Sequence, residues 1–360
     1  MENSSDEKYR SLVKVIRQLI GLVTCLLLVI FFLFIYLCFL EPAKSSFTFF
    51  SKKTFTLPEV TSTQNKPVVK AYADIYWSPP DTNTIQTDSI REKILYGRKL
   101  ISQTSTFFGP HGSIRKNATN GMNCQNCHLD AGTKVFGNNY GSVFATYPKY
   151  RPRSGGIENI YKRINDCFER SLNGKPLDTL SNEMQAMAAY INWLGKDVEK
   201  GKKAAGSGLK DLEFMNRAAD PAKGKTAYEL KCITCHQHTG AGQMNSENTA
   251  YTYPPLWGNN SFNNGAGLFR ISNFAKYIKY NMPVGASHEN PVLSDEEAWD
   301  IASYVNSQPR PQKNLSKDWP KISEKPFDHP YGPFADGFSE NQHKYGPYKP
   351  IKAKQEKKKT

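Results

Sequence analysis

Two stretches of the chain set two thiols and an imidazole in the same order. They are Cys124-Gln125-Asn126-Cys127-His128 and Cys232-Ile233-Thr234-Cys235-His236. C-x-x-C-H is the attachment signature of a c-type haem. The thiols add across the two porphyrin vinyl groups, and the adjacent histidine ligates iron from the proximal side. A zinc reading needs C-x-x-C pairs about 15–20 residues apart. Here they are 108 apart, and each carries its own histidine. A thioredoxin-like reading lacks the βαβ context. The spacing therefore points to two covalently bound haem c groups. Cys124, Cys127, Cys232 and Cys235 attach them, and His128 and His236 are the proximal ligands.

Each iron then needs a sixth ligand or an open position. Asn281-Met282-Pro283 lies 46 residues after His236. A methionine in a proline-pinned loop before the last helix suits His/Met ligation, which raises the reduction potential. Met244 and His288 are its rivals. The first module has no Met-Pro loop. Its Met184 and Met187 fall at core spacing, and His111 precedes the haem motif. The unexplained residue is Cys167, the one cysteine outside the motifs and the apolar segment 19–40. Alone on an apolar helix side it reads as an inert buried thiol. Beside iron and cations it reads as a thiolate ligand. Arg163, Cys167 and Ser171 follow at i, i+4 and i+8 and share one helix side. Arg153 lies in the loop Lys149-Tyr150-Arg151-Pro152-Arg153-Ser154-Gly155-Gly156. Such a cluster suits a small anionic substrate, because guanidinium groups hold oxyanions in fork geometry.

Helices must position these residues. Ile157, Ile160, Ile164 and Phe168 repeat at helical spacing and predict an amphipathic helix ending near Asn173-Gly174. Each module ends in an amphipathic helix opened by Leu-Ser, from Leu180 and from Leu293. Ser294 and Glu297 form a capping box, and Asp220-Pro221 starts a helix. Tyr147-Pro148 and Tyr253-Pro254 each follow a haem motif by about twenty residues. No alternating strand pattern of any length stands out. The expected fold is all-α: two cytochrome c-type haem domains in tandem, preceded by one transmembrane helix. The expected boundaries are a cytoplasmic N-terminus 1–18, an anchor 19–40 and a tether 41–70. A first haem domain spans 71–200, a linker 201–220 and a second haem domain 221–310. A Pro/Lys/aromatic-rich extension over the surface closes the chain, 311–360.

Composition narrows the partners. With Phe 20, Tyr 19 and Trp 5 in 360 residues, full disorder is excluded. Seven cysteines are too few for a disulfide scaffold. The formal net charge is +14, yet no zinc-finger spacing, aromatic RNA-binding signature or basic helix argues for nucleic acid. The lysine run in 352–360 reads as a solvated end. Leu19–Leu40 is 22 residues without a charge, long enough to cross a bilayer. A signal-peptide core is shorter, so the segment reads as an uncleaved anchor, with late cleavage as the alternative. Cys25 and Cys38 are apolar filler within it. Haem attachment occurs outside the bacterial cytoplasmic membrane. The expected location is therefore that membrane, single-pass, with the haem domains on the periplasmic side.

Three stretches carry a family resemblance: RINDCFERSLNG (163–174), YNMPVGASHENPVLSDEEAWDIASYVNSQPRP (280–311) and DHPYGPFADGFSENQHKYGPYKPI (328–351). They are similar to the dihaem thiosulfate dehydrogenases, also called tetrathionate synthases, over about residues 71–351. The resemblance implies that the first haem is catalytic, ligated by His128 and the Cys167 thiolate. Arg153, Arg163 and Ser171 match the family's substrate-pocket positions. The second haem, with Met282 as ligand, exchanges electrons with a cytochrome c-type partner. The implied activity couples two thiosulfates to tetrathionate with release of two electrons, and reduces tetrathionate in reverse. Some relatives carry a lysine ligand just before this methionine, where Asn281 stands here. A membrane-anchored dihaem electron carrier is the competing reading. It has no need of Cys167, Arg153 or Arg163.

Overall fold

The computed structural model describes residues 3–39, 75–85 and 87–357. The chain divides into two compact units, one ending at residue 65 and one starting at residue 66. The first unit holds helix α1, Asn3–Phe39. Its stretch Val13–Ile35 is 23 residues long and apolar enough to cross a membrane. Leu19, Leu27 and Phe32 on it are exposed, as a lipid-facing helix requires. The expected tether, 41–70, lies outside the described residues.

In the second unit each haem motif is framed by a pair of crossing helices. Helix α2 (Asp88–Ser102) crosses α4 (Asn182–Leu194), with α3 (Ile160–Asp166) beside them. Helix α5 (Pro221–Lys231) crosses α7 (Asp295–Ser307), and α6 (Ile271–Asn281) packs on α7. Both crossings turn on a glycine. A Cβ on Gly97 would overlap the Ala186 carbonyl, and one on Gly224 would overlap the Asp300 carbonyl. Only the missing side chain lets the backbones approach so closely. Around the first crossing, Leu100, Ile101, Met184, Met187, Tyr190 and Leu194 are buried.

The helix starts follow the sequence signals. Asp220 accepts from the amides of Ala222 and Lys223 at 2.8 and 3.3 Å. Ser294 accepts from the Glu297 amide at 3.0 Å, and Glu297 accepts from the Ser294 amide at 2.8 Å. Ile157 departs from its expected place. It lies on strand β2 (Gly156–Glu158), paired antiparallel with β1 (Lys149–Arg151), and is 72% exposed. The helix begins three residues later because the Asn159 side chain accepts from the Lys162 amide at 3.0 Å. A second hairpin pairs β3 (Gln243–Met244) with β4 (Tyr251–Tyr253). Both hairpins are too short to show an alternating pattern. After Asp166, α3 continues as a π-turn over Cys167–Ser171, which re-aims the side chains that follow.

The segment 201–220 lies against the first haem loop. The Phe136 amide donates to Gly206 O at 2.8 Å, and the Asn138 amide to Gly208 O at 2.9 Å. The extension after residue 310 is packed through much of its length. Asp328 is fully buried and accepts from Arg270 Nε at 2.6 Å and from the Ser272 hydroxyl. Helices α8 (Glu340–Tyr345) and α9 (Lys349–Lys357) complete it. The basic end is thus helical through Lys357 rather than a loose tail. Buried Ile351 anchors it, Lys352 lies over the Phe327 ring and Lys354 donates to Asp336 O at 2.6 Å.

Placing a methyl group at the second crossing tests the duplicated frame. Gly224→Ala is expected to lower unfolding free energy by about 1–3 kcal/mol through overpacking. Urea denaturation of the haem-loaded protein measures it, and unchanged stability would remove the close-approach argument.

Candidate haem pockets and a cation-lined cavity

A cavity of about 370 Å³ is bordered by Cys124, Cys127, His128, Arg163, Cys167 and Ser171. Asn126 and Asn123 cap the C-x-x-C turn reciprocally: the Asn123 amide donates to Asn126 Oδ1 at 2.7 Å. His128 Nδ1 lies 2.6 Å from Asn138 O and its ring stacks on Tyr140 at 4.5 Å. That backbone bond fixes Nδ1 as the donor and leaves Nε2 as the free lone pair, the arrangement a metal-bound histidine requires. Burial pushes the imidazole down to about 4, so the ring is neutral and able to ligate.

The second cavity, about 360 Å³, is bordered by Cys232, Cys235, His236 and Met282. His236 Nδ1 lies 2.9 Å from Pro254 O, which again leaves Nε2 free. No disulfide joins the cysteines of either motif. In both pockets two free thiols and an oriented neutral imidazole share one space, walled by mostly apolar side chains in the second and edged by cations in the first. This donor set fits a covalently attached haem.

The two pockets touch. Cys127 borders both cavities. Tyr277 of α6 is buried and donates to Asn126 O at 2.8 Å, inside the first motif. Asn281 is also buried here. Its Nδ2 donates to Phe136 O and Tyr277 O at 3.2 and 3.0 Å. The amide is thereby committed to the junction between the modules.

A third cavity, about 510 Å³, shares Cys127, His128, Arg163, Cys167 and Ser171 with the first. Arg151, Arg153, Arg170, Lys203 and Lys276 also border it, with Asp166 as its carboxylate. Arg163 Nη1 lies 3.3 Å from Cys167 Sγ. Electrostatic coupling to the Cys167 sulfur raises the affinity of this guanidinium for its proton. Arg153 donates to Gly265 O at 2.5 Å and lies under the Trp319 indole at 4.9 Å. Asp318 grips Arg170 with both oxygens, each at 2.8 Å, and stands 3.8 Å from Arg153. Trp319 takes a φ of +55°. The strain is held because its amide donates to Arg153 O at 2.7 Å and its ring meets His329 at 4.2 Å.

The structure therefore brings Cys167, Arg153, Arg163 and Ser171 to one space beside the first C-x-x-C-H. It brings Met282 to the pocket of the second. The rivals lie elsewhere: Met244 is in the β3–β4 hairpin, His111 is exposed, and His288 packs between Tyr76 and Phe136. Sequence reasoning missed Arg170, Lys203, Lys276, Asp318 and Trp319. Arg170 had a signal, since it follows Cys167 by three residues on the same helical segment. Asp318 and Trp319 had none, being about 150 to 165 residues from the arginines they brace.

Comparisons agree with this architecture. Residues 114–199 match the family model of the SoxA/TsdA cytochrome c domain, and residues 221–309 that of cytochrome c. A thiosulfate dehydrogenase of Psychrobacter arcticus is 37% identical over 78% of this chain and 80% of its own length. The chain belongs to the thiosulfate dehydrogenase family. The family member of Allochromatium vinosum is 36% identical over 64% of this chain and 83% of its own length. The solved thiosulfate dehydrogenase (TsdBA) of Marichromatium purpuratum superposes with a TM-score of 0.61 at 26% identity. That match covers 72% of this chain, which spans 54% of the solved one. The two cytochrome c domains of the present family member carry two covalently attached haem c groups.

His329, which braces Trp319, gives a pH test. Burial pushes its imidazole down to about 3. Below about pH 6.5 the unfolded chain binds a proton that the folded chain refuses, so stability falls as pH falls. The loss is at most about 1.4 kcal/mol per pH unit. Unfolding curves of the wild type and His329→Phe, taken between pH 7.5 and 4.5, should diverge as the wild type weakens. Parallel curves would show that His329 is not buried neutral.

Proposed function

We infer that this chain oxidises thiosulfate to tetrathionate. Two S2O3²⁻ ions become one S4O6²⁻ ion and two electrons leave. Atoms and charge balance without a proton, so the site needs no general base. It needs cations that bring two dianions together and a route for two electrons. When bound, the two haem c groups supply a pair of one-electron carriers. The observation that carries the reading is the Arg163–Cys167 contact of 3.3 Å in a cation-lined cavity next to the first haem motif.

Cys124, Cys127, His128 and the Cys167 thiolate would hold the first haem. Cys232, Cys235, His236 and Met282 would hold the second. Cys167 is also the nucleophile of our reading. Its thiolate joins the outer sulfur of one thiosulfate as two electrons depart, leaving Cys–S–S–SO3⁻. The outer sulfur of a second thiosulfate then attacks that sulfur and displaces the Cys167 thiolate, giving tetrathionate. Arg163 lies nearest the reacting sulfur and offsets the charge that builds there. Arg153 and Ser171 hold the sulfonate oxygens. The same groups serve tetrathionate reduction when electrons arrive. Electrons pass to or from a cytochrome-type partner. The 23-residue apolar stretch of α1 supports a retained membrane anchor, with the haem domains on the periplasmic side, where haem c is attached.

Cys167→Gly is expected to abolish turnover in both directions with two haems still attached. Near-normal turnover would refute the nucleophile. Arg163→Gln should lower kcat/KM for thiosulfate about 100-fold, the scale for removing one charge-stabilising donor. Steady-state assays on the haem-loaded protein read both.

A further inference from the structure

Arg310 lies three residues beyond the end of α7 and is 7% exposed. Its guanidinium stacks between two rings, Phe262 at 4.3 Å and Phe269 at 5.0 Å. Its Nη2 donates to Val305 O at 2.7 Å. Its Nε and Nη1 are buried and bonded to nothing in the protein. Among the described residues no carboxylate pairs with it. Two orphaned donors on one buried cation are a costly arrangement, of a kind native proteins avoid. Burial lowers its proton affinity only to about 9, so the group is still cationic at neutral pH.

Its neighbours say where the missing partner comes from. Phe262 and Val305 both border the second haem cavity, as does Leu268 beside Phe269. Haem c brings two propionate carboxylates into a pocket whose wall here hides an unpaired cation. We propose that Arg310 is the charge partner of the second haem's propionates and holds that haem at a raised reduction potential. A nearby positive charge disfavours the oxidised iron, which carries one more positive charge than the reduced form. The protein gains a second advantage. The haem next to the cation becomes the better electron acceptor of the two, which draws electrons away from the thiosulfate site. The residue touches neither substrate nor the reacting sulfur, so it is a positioning and tuning residue.

The proposal rests on the second module carrying a haem, which a haem count per chain checks separately. The test is a spectroscopic redox titration of the holoenzyme with Arg310→Gln and Arg310→Lys. The expected result is a lower midpoint for one haem in Arg310→Gln, the other haem unmoved, and partial recovery in Arg310→Lys. A two-haem Arg310→Gln protein with both midpoints unchanged would overturn the proposal, even if its thermal stability fell. Should Arg310→Gln lose its second haem, Arg310→Lys decides by resonance Raman. Shifted propionate bending bands support the contact, and bands identical to the wild type's overturn it.

Discussion

Six cationic side chains border one cavity in this protein, with a single carboxylate on the same wall. Like charges held at low exposure repel, and the fold must restrain them without cancelling the field. It does so from outside the cavity. Asp318 holds Arg170 in a two-pronged pair, and Glu158 stands 3.7 Å from Arg151. Arg153 is fixed by a carbonyl and an indole, with an Asp318 oxygen 3.8 Å away. Arg163 is left facing the Cys167 sulfur. The charge that the cavity presents is therefore positive, ordered and already desolvated in part, which is what electrostatic preorganisation toward an anion requires.

This arrangement depends on parts of the chain that are distant in sequence. The β1–β2 turn supplies Arg153, and α3 with its π-turn supplies Arg163, Cys167, Arg170 and Ser171. The second domain supplies Gly265, and its Asn263 Nδ2 donates to Glu169 O at 2.8 Å. The extension supplies Asp318 and Trp319. The π-turn begins at the cysteine itself, and Cys167 and Ser171 border the same space. The second domain and the extension thus complete the pocket of the first.

The two haem modules are copies in frame and not in detail. Each crosses its first and last helices at a glycine, and each ties its haem-motif histidine to a backbone carbonyl. The carbonyls differ. Pro254 of the second Tyr-Pro pair does this work for His236, whereas Asn138 does it for His128. The repeated Tyr-Pro is therefore a shared pattern without a shared contact. Where the modules meet, Cys127 borders both pockets and Tyr277 reaches into the first motif. That shared wall is fixed by buried hydrogen bonds.

The amino-acid sequence by itself determined the local chemistry: two haem attachment turns, the Met-Pro loop, the spacing of Arg163, Cys167 and Ser171, the capped helix starts and the apolar N-terminal helix. Each of these is encoded within a few residues, where backbone periodicity converts spacing directly into geometry. Ile157 shows the limit of that logic, since a helix-spaced isoleucine fell on an exposed strand once Asn159 capped the helix after it. The basic end shows it too, because buried Ile351 holds helical a run that composition alone marks as solvated. Only the tertiary structure decided that Asp318 and Trp319 brace the arginines, that one cysteine borders both pockets, and that Arg310 is buried without a partner. Those facts depend on which surfaces meet, and contacts between residues so far apart along the chain leave no periodic trace in it.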